Sequence, residues 1–125
     1  MARKKSGAAR AARQAPMLTA RVFVDARDEA AARRVGERFV EGWVRPECMR
    51  MAVHVVESGR YYKIPEYFEL NLAIPLADAR LADDLVPRLQ RRIGTGWRTG
   101  VCATRAGGTI ACEGVVWIEL DVIAT

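Results

Sequence analysis

Four stretches of this chain alternate apolar and polar residues at period two, and that alternation limits the fold more than any other feature. Successive side chains of an extended chain point to opposite faces, so each stretch reads as a strand with one buried side. Residues 18–26 set Leu18, Ala20, Val22 and Val24 against Arg21, Phe23 and Asp25. Residues 49–57 set Met49, Met51, Val53 and Val55 against Arg50 and His54. In 68–74, Phe68, Leu70, Leu72 and Ile74 oppose Glu69 and Asn71, with Tyr67 joining the polar row. In "GVVWIELDV", Val116, Ile118, Leu120 and Val122 share one side; Trp117, Glu119 and Asp121 share the other.

Helical spacing fills the gaps. Asp28 can cap a helix in which Ala31, Val35, Phe39 and Trp43 recur four apart, with Pro46 as its stop signal. A second helix lies within 78–93, where Leu81, Leu85, Leu89 and Ile93 share a face. Pro87 requires either a kink or a late start, with Asp84 as cap and Pro87 in the first turn. Gly94 ends the helix. The last strand is elaborated into a hairpin about Ala106-Gly107-Gly108, and Cys102 and Cys112 are placed to face each other across it. The order β-α-β-β-α-β predicts a ferredoxin-like α+β domain. Right-handed crossovers then put both helices on one face of an antiparallel sheet and leave the other face open.

The chain has 125 residues and a net charge of +5. Arg3, Lys4, Lys5, Arg10 and Arg13 place all of that surplus in a basic tail over 1–16; residues 17–125 form one electrically balanced domain. Half the residues are hydrophobic, which excludes global disorder. Neither a membrane-length apolar run nor the apolar stretch of a secretory signal is visible, so the expected location is cytoplasmic. Three cysteines without a CxxC, beside the lone His54, give no zinc framework. No metal or other cofactor is expected.

The outward rows define the functional candidates. In the usual strand order the first strand neighbours the last, so Arg21 can pair with Glu119 or Asp121. Aromatic residues beside them suit a protein partner or a homodimer formed through the sheet face. The partner-binding candidates are Phe23, Tyr61, Tyr62, Tyr67, Glu69, Trp117, Glu119 and Asp121, with the "SGRYYKIPEY" loop at 58–67 contributing its tyrosines. The alternative is a small enzyme or ligand-binding dimer using His54 with Glu69, Glu119 or Asp121 on that face. None of the nucleophile-elbow, P-loop or zinc-protease motifs is present. An RNA-recognition reading fails on the sheet, where the third strand lacks the required basic and aromatic residues and the acids repel phosphate. Only the tail suits nucleic acid, weakly and in a salt-dependent way.

The final third, "LQRRIGTGW…GGTIACEGVVWIELDV", resembles the end of small bacterial immunity proteins of polymorphic-toxin systems. Gly94, Gly96 and Trp97 match at the turn, and Trp117 and Glu119 match in the last strand. The resemblance implies a cytoplasmic, non-catalytic protein that neutralises a cognate toxin by masking its active cleft.

Overall fold

The computed structural model describes residues 15–61, 63, 64, 66–104 and 107–123. At its centre is β1 (Met17–Asp25), whose Leu18, Val22 and Val24 are almost wholly shielded from solvent. It pairs on one side with β3 (Tyr67–Pro75) and on the other with β5 (Val115–Ile123). Outside these lie β2 (His54–Arg60) and the short β4 (Val101–Ala103). The sheet order is β2-β3-β1-β5-β4, antiparallel throughout. Val22 sits between Leu70 and Ile118, and Arg21 between Asn71 and Glu119, so one row goes inward as the next goes outward. Val115, not Val116, fills the core, because the β1–β5 register shifts between Phe23 and Val24.

Both helices pack on the inward row. Helix α1 (Glu29–Phe39) starts at Asp28, whose Oδ1 accepts the Ala31 N–H at 2.8 Å. Its buried stripe is Ala32, Gly36 and Phe39, continuing through Val40 and Val44. That is rotated about one residue from the expected set, leaving Ala31, Val35 and Trp43 half-buried on its flank. Pro46 does not follow the helix. A wide π-type turn over Val40–Val44, with the Arg45 N–H bonded to the Val40 carbonyl, leads into α2 (Arg45–Cys48). Pro46 lies in the first turn of that segment, where a missing N–H does little harm.

Helix α3 (Arg80–Ile93) starts early, not at Asp84, and holds Pro87 in its interior. Asp78 accepts the Arg80 N–H at 2.8 Å at its beginning. A mid-helix proline costs about 3 kcal/mol. Leu85 and Leu89, both fully buried, return about 1.5–3 kcal/mol each, so packing outweighs the break. Ala82 occupies the inward position expected of Leu81, which is 38% exposed.

The largest departure is β2, which begins at His54 instead of residue 49. The longer helical segment uses the chain up to Cys48, and Met49 turns outward with a φ of 54°. Of the expected inward set only Val53 is buried; Met51 is half-buried, and Val55 is 56% exposed. This strand is a sheet edge with a bulge between Val55 and Glu57, so its alternation has little core to enter.

The C-terminal hairpin also differs. Ala103 lies opposite Trp117 and Cys102 opposite Ile118, while Cys112 stands outside any strand. Both cysteines are buried free thiols. The 109–111 stretch crosses the chain leaving α3 instead: Thr95 N–H bonds Thr109 O at 2.9 Å, and Ala111 N–H bonds Ile93 O at 2.7 Å. Glycine permits this approach. A Cβ on Gly94 would stand 2.1 Å from the Thr109 carbonyl oxygen, and one on Gly96, at φ 75°, 2.5 Å from Gly108. The "GTGW…GGT" pattern is thus a backbone crossing. Among the described residues no helix is long and apolar enough to cross a membrane.

The packing predicts that Leu85→Ala lowers unfolding free energy in urea titrations by about 2–5 kcal/mol. Leu81→Ala, from the neighbouring exposed position, should cost less than about 1 kcal/mol. Equal losses would show that the inward stripe of α3 is misplaced.

Candidate functional site

The outward row of β1, β3 and β5 converges on Arg21. Its Nε donates to Glu69 Oε2 at 2.8 Å and its Nη2 to Glu69 Oε1 at 3.5 Å. Its Nη1 lies 3.9 Å from Glu119 Oε2. Asn71 Nδ2 donates to Glu69 Oε2 at 3.2 Å, and Trp117 Nε1 donates to Glu119 Oε1 at 3.1 Å. One cation on the central strand therefore holds a carboxylate on each flanking strand. The guanidinium also stacks on aromatic rings, with Cζ 5.0 Å from the Phe23 centroid and 5.4 Å from that of Tyr61. The two rings are 4.6 Å apart. Each cation–π contact at such a half-exposed site contributes about 0.5–1 kcal/mol.

These contacts set the chemistry of the patch. The Arg21 hydrogen bond holds the Glu69 carboxyl below its ordinary 4.5, opposed in part by burial and helped by Asn71. The same bond raises Arg21 further above its ordinary value. At neutral pH Glu69 is an acceptor with its lone pairs engaged, a poor proton donor. Burial raises the thiols of Cys48, Cys102 and Cys112 above 9.0, which keeps them protonated.

The structure redistributes the sequence candidates. Glu69, Trp117 and Glu119 come together with Tyr61, all half-buried. Phe23 does not present a docking surface, since it is 7% exposed and lies against Tyr61. Tyr67 is half-buried opposite Asp25, and Asp121 is exposed opposite Thr19, away from the Arg21 cluster. The loop is shorter than 58–67: residues up to Arg60 belong to β2, and Tyr67 begins β3. Tyr62 and the tail residues Arg3, Lys4, Lys5, Arg10 and Arg13 lie outside the described residues. His54 pairs with Ala73, about 13 Å along β3 from Glu69, and β3 and β1 separate its strand from that of Asp121. Among the described residues no three His, Cys, Asp or Glu side chains gather where a metal could bind.

Two features exceed the sequence reading. Arg21 lies within reach of Glu119, one of the two acids expected for it, but its bond to Glu69, and so its role as hub, depends on both neighbours. The second is an apolar cleft of about 480 Å³ between α1 and the β2 side of the sheet. Val24, Phe68 and Leu70 form its floor, Gly36 and Val40 its wall, and Val55 its lip. No periodicity announces a cleft.

No family model matches the chain, and no curated protein matches it. A solved structure titled "De novo designed protein Foldit4" is similar at 20% identity and a TM-score of 0.50, over 88% of this chain and 97% of that one. The likeness concerns the fold alone.

The Arg21–Glu69 pair gives stability a pH dependence of known sign. A carboxylate held below its ordinary value adds stability that is complete above about 4.5 and fades as pH falls through the folded value. Denaturant titrations carried into acid should therefore show wild type losing more stability than Glu69→Gln over the same interval. Identical acid limbs would mean that the pair does not form.

Proposed function

We propose that this chain is a non-catalytic protein-binding module whose open sheet face docks the partner. The observation that carries the reading is the Arg21 clamp. It holds the two acids, stacks on Tyr61 and, through Glu119, orients Trp117, so the partner meets an ordered aromatic and guanidinium patch. Aromatic and Arg side chains dominate binding energy at interfaces, and residues already ordered lose less freedom on association.

In its most concrete form the partner is a toxin domain whose active cleft is masked by this face, and the protein acts in the cytoplasm. The support is the resemblance at Gly94, Gly96, Trp97, Trp117 and Glu119. The first three shape the turn, where Trp97 Nε1 donates to Gln90 O at 2.9 Å and to Gly94 O at 3.2 Å. The last two lie on the docking face, bonded to each other. A ferredoxin-like fold is part of the same reading. It is supported by the run β2-β3-β1-β5 and by a single core that joins both helices to one sheet face.

The test is affinity capture from the native cell, followed by titration of the captured protein against wild type and variants. Trp117→Ala should weaken binding by about 2 kcal/mol, roughly thirtyfold, with an unchanged circular dichroism melt. Tyr61→Ala should act in the same direction. A partner indifferent to both substitutions would remove the sheet face from the proposal. If the chain recovers only itself, and Trp117→Ala dissolves that association in sedimentation, the occupant is a second copy.

A further inference from the structure

On the opposite layer, where α2 meets the last turns of α3, Glu47, Arg88, Arg91 and Arg92 line a shallow basin of about 450 Å³. Three guanidiniums face Glu47 and Asp84 there, a local surplus of one positive charge. Glu47 is 18% exposed and acts as the organiser. Its Oε2 accepts from Arg92 Nε at 2.6 Å, its backbone carbonyl accepts from Arg88 Nη2 at 3.3 Å, and its Oε1 stands 3.7 Å from Arg88 Nε. Arg88 Nη1 reaches Asp84 at 3.4 Å. Arg88 Nε is buried with no hydrogen-bond acceptor among the described residues.

The arrangement leaves many donors unspent. Arg92 is held through Nε, so both its Nη groups remain available, and Arg91 makes no hydrogen bond or ion pair among the described residues. A helix C-terminus attracts cations, which accounts for basic residues in the last turn of α3. It does not account for a carboxylate that orients two of them and leaves a third unpaired beside them. Planar guanidinium forks match the oxyanion geometry of phosphate, and Arg presents them at a fixed spacing.

From these facts the geometry points to a phosphate-binding subsite at the α2–α3 junction, engaging the backbone of a nucleic acid. The basin is open and shallow, which suits one phosphate of a long polyanion better than an enclosed small metabolite. The five positive charges of the segment before residue 16 would add to the same attraction without sequence preference. The site lies on the helix layer, so it is independent of partner docking on the sheet face.

The experiment uses the full chain and a labelled single-stranded RNA, with fluorescence anisotropy read across a salt series and polyglutamate as competitor. Arg91 makes no hydrogen bond or ion pair among the described residues, so Arg91→Glu should fold normally, weaken RNA binding about fivefold or more, and flatten the salt slope by about one. Trp117→Ala should leave RNA binding unchanged. The assignment is overturned if Arg91→Glu binds like wild type, because the basic segment alone would then carry the affinity. It is overturned equally if the full chain binds no RNA, or if the RNA complex survives an excess of salt. Preferential capture of acidic protein over RNA would also overturn it and make the basin a protein contact.

Discussion

Everything in this molecule depends on β1 being paired along both edges. A strand with two neighbours has no freedom to slip, because a one-residue shift would send Leu18, Ala20, Val22 and Val24 to solvent and bring Arg21 inside. The pairing with Leu70 on one side and Ile118 on the other assembles the inward row that both helices cover. It also determines what the opposite face can be. Once Val22 is inward, Arg21 must stand outward between β3 and β5, within reach of an acid on each.

That placement changes what the acids mean. A row of Trp117, Glu119 and Asp121 reads in isolation as surplus negative charge beside an aromatic ring. With Arg21 between Glu69 and Glu119, and the Trp117 indole bonded to Glu119, one positive charge is shared by two acids, while Asp121 stands exposed. Ion pairs at such half-exposed sites are worth little individually, about 0–1 kcal/mol, so their main effect is orientation. The aromatic rings and the guanidinium are held in one arrangement, which favours recognition over proton transfer. The helix layer carries a separate device, in which Glu47 does for Arg88 and Arg92 what Arg21 does for two carboxylates.

Legibility in the sequence followed burial. The β1 and β3 rows were readable because each has a fully covered face, so the period-two pattern is enforced by the core. The strand expected at 49–57 was not, because β2 is an edge bordering an open cleft beneath α1; Val55 lines that cleft and can be exposed there without losing packing. Helix limits failed at the prolines, where Pro46 reads as a stop and Pro87 as a kink or a late start. Both lie inside helical segments, Pro46 in a first turn that needs no N–H there and Pro87 where flanking burial offsets the missing hydrogen bond. The glycines at 94, 96 and 108 were visible as turn residues, but the crossing they permit involves chain segments about fourteen residues apart.

The sequence by itself determined an α+β chain with an apolar row on each long strand, and it named most of the residues that stand on the outer face. Local alternation and helical spacing are sufficient for that, because both are written in neighbouring positions. Only the tertiary structure decided that Phe23 lies against Tyr61, that Arg21 joins two acids, and that Glu47 holds Arg88 and Arg92. Those contacts join side chains from different elements, and their distances follow from strand register and helix placement, which no local period records.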